Sequence, residues 1–134
     1  MILDTNVVIQ HIRKQIPISS RAVLPIVVVG ELEAFALKSD WGYQKMVSLN
    51  TILEKIPIAD IDREIAQIYA KVDAYSQGKL KSQPLPLGMS ARNMGKNDLW
   101  IAAISLYFDF ELHSIDNDFD HLINFGLKLI KPVI

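Results

Sequence analysis

The sequence contains no cysteine. That excludes a disulfide framework and any metal site built on thiolates, and it fits a reducing compartment such as the cytoplasm. It also lacks a long apolar run. The longest, such as Ala22 to Val29, fall far short of the ~18 residues that a membrane span requires, so no membrane association is expected. The opening Met1-Ile2-Leu3-Asp4 has no basic segment and meets an acid at once, so it does not read as a secretion signal. Internal repeats and low-complexity tracts are missing too. An excess of positive charge is likewise absent: 14 basic and 15 acidic residues leave a net charge of −1. A protein that coats nucleic acid with basic surface alone is therefore disfavoured. An enzyme that gathers carboxylates around metal ions is a different case, because the cations supply the positive charge locally.

What is present is enough for one domain spanning residues 1–134. A chain of this length buries roughly two-thirds of its unfolded surface and needs no covalent staple. Met1 to Asp4 reads as a short buried strand, and Thr5 to Lys14 as a helix with Val7, Val8 and Ile12 inward. Pro17 and Ser19-Ser20 mark a turn. The next segment mixes signals, since Val27-Val28-Val29 has strand propensity while Leu32, Phe35 and Ala36 keep helical spacing. We read a strand ending near Leu24-Pro25 and a helix from Ile26 to Lys38. Trp41 to Lys55 is helical by the spacing of Met46, Leu49, Ile52 and Leu53. Ile56 to Ala59 is a strand, with Pro57 suggesting a sheet edge. Asp60 or Asp62 caps a helix reaching about Tyr75, and Ser76 to Gly95 is a long loop. Asn97 is expected to cap a helix through Trp100, Ala103 and Tyr107. Glu111 to Ile115 reads as a strand, Phe119 to Phe125 as a short helix and Leu127 to Ile130 as a last strand. Alternating strands and helices predict an α/β fold with a parallel sheet flanked by helices.

Four carboxylates sit where a strand ends or a helix begins: Asp4, Glu31, Asp98 and Asp116. In open α/β sheets ligands bind beyond the carboxyl ends of the strands. Each acid has an ordinary explanation when taken singly. Asp98 resembles a helix-start acid, Asp116-Asn117-Asp118 a solvated turn, and Glu31 a first-turn acid favoured by the helix dipole. Asp4 is harder to dismiss, because a carboxylate directly after a buried strand is costly unless paired or metal-bound. Together, converging carboxylates repel: two unit charges 4 Å apart cost about 4 kcal/mol at an effective dielectric near 20. Oxygen-only ligands favour Mg²⁺ or Mn²⁺ over zinc. Such ions activate water and stabilise the leaving oxygen in phosphodiester hydrolysis.

These residues resemble the motifs of a known family, the PIN domains, and within it the VapC-like ribonuclease toxins of bacterial toxin–antitoxin pairs. Leu3-Asp4-Thr5-Asn6 is similar to the family's first motif, and Val29-Gly30-Glu31-Leu32 to its second. Gly95-Lys96-Asn97-Asp98-Leu99-Trp100-Ile101-Ala102-Ala103 resembles the third, and Ser114-Ile115-Asp116-Asn117-Asp118-Phe119-Asp120-His121-Leu122 the fourth. The motifs span nearly the whole chain in the family's order. The resemblance implies a PIN-like three-layer sandwich with a central parallel sheet of about five strands. It implies an Mg²⁺- or Mn²⁺-dependent endoribonuclease whose metal site is Asp4, Glu31, Asp98 and Asp116. Asp4 and Asp98 would be the most direct ligands, with Asp118, Asn6 and Thr5 in support. It also implies a cytoplasmic protein neutralised by a cognate antitoxin and forming a homodimer. Two departures stand out. Ser114 occupies a position where the family more often has threonine, which keeps the hydroxyl, and the first strand is trimmed to three residues before Asp4.

Arg92, Lys96, Lys79 and Lys81 lie in or beside the long loop and are candidate RNA phosphate contacts. His11, His113 and His121 have no ligand spacing and read as structural or surface residues. Trp100, Tyr107 and Phe108 read as core or dimer contacts, and Trp41 as a packing residue. A haloacid-dehalogenase-like phosphatase is the competing enzyme class, but it needs an acid two positions after the first aspartate, where this chain has Asn6. A non-catalytic PIN scaffold acting with a partner protein is the competing non-enzymatic reading, and DNA in place of RNA is a substrate variant.

Overall fold

The computed structural model describes residues 1–134. The chain runs β1 (Ile2–Leu3), α1 (Thr5–Lys14), β2 (Leu24–Pro25), α2 (Ile26–Lys38), α3 (Tyr43–Lys55), β3 (Ile58–Ala59), α4 (Arg63–Ser76), α5 (Lys96–Phe108), β4 (Leu112–His113), a 3-10 helix (Asn117–Phe125) and β5 (Leu129–Ile130). All strand pairs are parallel: β1 with β4, β4 with β5, and β2 with β3. The sheet is thus a three-stranded unit and a two-stranded unit, joined by one bridge between Ile2 and Val23. The Val23 amide donates to the Met1 carbonyl at 2.8 Å and the Leu3 amide to the Val23 carbonyl at 3.4 Å. Read through that bridge the order is β3-β2-β1-β4-β5, so the five expected strands are present but each is only two residues long. β3 and β5 form the edges, which suits Pro57 just before β3.

Local chemistry explains the elements. α1 buries Val7, Val8, Ile9 and Ile12 and carries His11, Arg13 and Lys14 in its last turn, where positive charge suits the helix dipole. In α2 the valine run turns helical because Val28, Val29, Leu32 and Ala36 form one buried stripe, so packing overrides strand propensity. α5 is apolar on nearly every side, burying Leu99, Ile101, Ala102, Ala103 and Ile104, as suits a helix enclosed by the core. It packs mainly on α4, where the Tyr69 and Trp100 rings lie against each other, tilted by 39° with centroids 4.2 Å apart. Trp41 is half-buried, edge-on to Phe35 at 5.7 Å, so it packs as expected.

Two readings need correction. Asn97 is not a cap: α5 begins at Lys96, with Gly95 in the capping position and no side chain accepting its first amides. Glycine serves there because an extended backbone turns into the helix without needing a side chain. The short helix after β4 is a 3-10 helix starting at Asn117, capped by Asp116, whose side chain accepts from the Asp118 amide at 3.0 Å.

Candidate metal centre

β1 lies where the strand order reverses, with β2 on one side and β4 on the other, and clefts form at such points beyond the strand ends. Asp4 follows β1 directly and caps α1. Glu31 sits in the second turn of α2, Asp98 in the first turn of α5, and Asp116 and Asp118 in the segment after β4. Asp98, Asp116 and Asp118 each offer a carboxylate oxygen within 4.8 Å of the other two. Asp4 and Glu31 fall outside that tightest set, yet their charges still reach Asp98. Asp118, expected only in a supporting place, therefore stands in the closest trio.

A hydroxyl network holds this arrangement. Asp4 is 5 % exposed and Ser114 is fully buried. The Ser114 hydroxyl donates to Asp4 Oδ2 at 2.7 Å and accepts from the Asp116 amide at 3.1 Å, with the Asn6 amide nitrogen 3.5 Å away. Asp4 Oδ1 accepts from the Thr5 amide at 2.7 Å, and the Thr5 hydroxyl donates to Glu31 Oε1 at 2.7 Å. Asn6 Oδ1 also accepts from the Ile115 amide at 3.4 Å. One short hydroxyl thus ties β1 to the loop after β4, and serine supplies it as threonine would.

The electrostatics are unfavourable for the acids alone. The Asp98 carboxyl is pushed up to about 7, first by burial and then by the charges of Asp4, Asp116, Asp118 and Glu31. Asp4 is raised as well: burial outweighs the lowering bonds from Ser114 and Thr5, and Glu31 and Asp116 add to the rise. The ion pairs of the chain, Glu111–His113, Asp109–Lys128 and Asp120–Lys131, include none of these acids. Crowded oxygen donors with no protein cation among them fit a hard divalent ion.

Two cavities flank the acids. One, of about 350 Å³, is lined by Ser90 to Gly95 and Asp118, so Arg92 borders the site. The other, of about 540 Å³, lies between Thr5, Glu31 and Asn97 and the outer face of α2, ending at Lys38. Lys79, Lys81 and Lys96 are exposed and line neither. Lys38, Asn93 and the cavity role of Asn97 were missed by sequence reasoning. Lys38 had a legible signal, since Val27, Glu31, Ala34 and Lys38 lie three or four residues apart on one helix face. A larger cavity of about 580 Å³, between the end of α1 and α3, has no acid in its lining and is no place for this chemistry. Of the histidines, His121 is buried and bonded to the Ser76 hydroxyl at 2.8 Å, which gives it a structural place.

The chain belongs to the PIN domain family, whose pattern matches residues 1–123. More particularly, it shares its fold with chains of VapBC assemblies. A chain of VapBC2 from Rickettsia felis, bound to a DNA fragment from its promoter, is similar with a TM-score of 0.71 and 21% identity over 96% of each chain. VapBC-1 from nontypeable Haemophilus influenzae gives a TM-score of 0.67 at 22% identity, over 97% of this chain and 96% of that one. VapBC-5 from Mycobacterium tuberculosis, a member of the VapBC family of toxin–antitoxin systems, gives 0.64 at 21% identity, over 96% and 94%. At these identities the likeness establishes the fold. No curated protein matches the sequence at a significant level.

Proposed function

We propose that this PIN domain is a divalent-metal-dependent endoribonuclease and the toxin of a toxin–antitoxin pair. The observation that carries the reading is the convergence of Asp4, Glu31, Asp98, Asp116 and Asp118 with no protein cation among them and with Asp98 raised to about 7. Asp98, Asp116 and Asp118 would hold Mg²⁺ or Mn²⁺, with Asp4 and Glu31 completing the negative field. When bound, such an ion supplies an activated water and charge neutralisation at a phosphodiester. The chain's own groups do the positioning. Ser114 fixes the carboxylate of Asp4 and the backbone of Asp116, and Thr5 fixes Glu31, so the acids are oriented before substrate arrives. Arg92, which lines a cavity with Asp118, would meet the RNA backbone.

RNA as substrate, a cognate antitoxin, a homodimer and a cytoplasmic setting follow from the resemblance to VapC-like toxins. The shared fold with members of toxin–antitoxin complexes supports them. No helix is long and apolar enough to cross a membrane. The test is cleavage of total bacterial RNA with Mn²⁺ or Mg²⁺ and with EDTA, beside Asp98→Asn. Metal-dependent cutting that the substitution removes is the expected result. Folded protein that cuts nothing under any condition would leave the non-catalytic scaffold as the better reading.

A further inference from the structure

Gly30 lies inside α2, one residue before Glu31, in a conformation open to any residue. A glycine there costs the helix about 1 kcal/mol relative to alanine. Packing does not explain it, because a Cβ built on Gly30 meets nothing within 4 Å. Nor does backbone strain, since its φ is outside the positive region where glycine is favoured. The empty space is the cavity of about 540 Å³ that opens onto Thr5 and Glu31. Its floor is the bare helix backbone at Gly30 and the small side chain of Ala34. Half-buried Val27 and Phe35 give it apolar walls, and Asn97 lines it with a side-chain amide that bonds to no other side chain. Lys38 stands at the far end, unpaired.

We propose that this cavity is a nucleotide subsite, taking one unstacked base of single-stranded RNA next to the acidic centre. The inference rests on the nuclease reading and names where its substrate sits. A base has a flat face that needs close approach to a smooth floor, edges that need a paired donor and acceptor, and a phosphate that needs a cation. Gly30 with Ala34, the Asn97 amide and Lys38 supply these in turn. A base reaches such a pocket only from a single strand, where it is free of its stack. A wholly apolar peptide would use the walls but leave the Asn97 amide and the Lys38 ammonium unmatched.

The test sets stability against binding. Gly30→Ala and Gly30→Gln should both melt higher than wild type by about 2–4 °C, because each removes the helical penalty of glycine. Gly30→Gln, which projects a side chain across the cavity floor, should weaken binding of a short fluorescein-labelled single-stranded oligoribonucleotide roughly tenfold or more, with Gly30→Ala in between. Binding is read by stopped-flow anisotropy in Mn²⁺, before cleavage develops, and Mn²⁺ affinity should stay unchanged. Lys38→Ala should lower the salt slope of binding by about 0.7. Equal RNA affinity in wild type and Gly30→Gln overturns the subsite while leaving the nuclease standing. So does a Gly30→Gln protein that melts lower or loses Mn²⁺, since the glycine would then serve packing or the metal. Wild type that neither binds nor cuts RNA overturns both.

Discussion

The 3-10 helix carries two aspartates two positions apart that live in opposite circumstances. Asp120 pairs with Lys131 at 2.7 Å in solvent, while Asp118 lies in a trio of like charges with Asp98 and Asp116. The contrast extends to the whole molecule. Away from the strand ends, acids meet bases or water. At the switch point Asp98, Asp116 and Asp118 crowd together with Asp4 and Glu31 near by; Asp98 is pushed up to about 7 and Asp4 is raised as well. Ser114 binds both the Asp4 carboxylate and the Asp116 amide there, so the crowding is built into the fold. The chain spends stability at one place to keep a cation-shaped deficit of charge, as functional sites do.

The sharpest way to break that contrast is Asp98→Asn. Activity should fall at least 100-fold, while the metal-free protein at pH 8 should melt a few degrees higher, because a repelled charge is gone. A lower melting temperature in EDTA would make Asp98 a structural residue. Next in size is Ser114→Ala, which strips the buried Asp4 carboxylate of its shortest hydroxyl bond and should cost about 1–3 kcal/mol by urea denaturation. Ser114→Thr should recover most of the loss if its extra methyl is accommodated, and a loss equal to that of alanine would show that the hydroxyl is not what matters.

The pH dependence sharpens the comparison further. Folding pushes the Asp98 carboxyl from its ordinary 3.8 up to about 7, and Asp4 is shifted the same way. The folded state thus binds more protons between those values. Stability from these groups is present below about pH 4 and is lost as pH rises toward 7 and beyond. Melting in EDTA should therefore fall from pH 5 to pH 8, and Asp98→Asn should flatten the slope. A slope unaffected by that substitution would place the titration elsewhere. The smallest effect belongs to the control, Asp120→Asn, which should change stability by no more than about 1 kcal/mol and leave activity intact. A large loss of activity there would mean that the acidic centre extends beyond Asp118.

Much of this was legible in the sequence. The spacing of Val7, Val8 and Ile12, the Pro25 boundary and the Asp62 cap gave helices close to those observed, because each signal is local. The strands were read too long. Only two residues of each pair in the ladder, and Ile115, read into the fourth strand, is exposed and unpaired beyond its end. Asparagine's strong preference for the capping position points to Asn97, but Gly95 fits the turn and leaves Asn97 lining a cavity. The motifs named the acids, yet spacing along a chain does not say which carboxylates come closest. That depends on how far the 3-10 helix brings Asp118 toward α5, which only the folded chain shows. The cavity beside Gly30 was invisible for the same reason: nothing in the sequence distinguishes a glycine facing empty space from one packed against a neighbour.

The central claim is that the crowded carboxylates form a metal centre, and Mn²⁺ binding tests it most directly. Electron paramagnetic resonance of free Mn²⁺ during titration should show binding by the wild type, at least tenfold weaker binding by Asp98→Asn, and unchanged binding by Asp120→Asn. Wild type that binds no Mn²⁺, or binds it equally well after Asp98→Asn, would contradict the account.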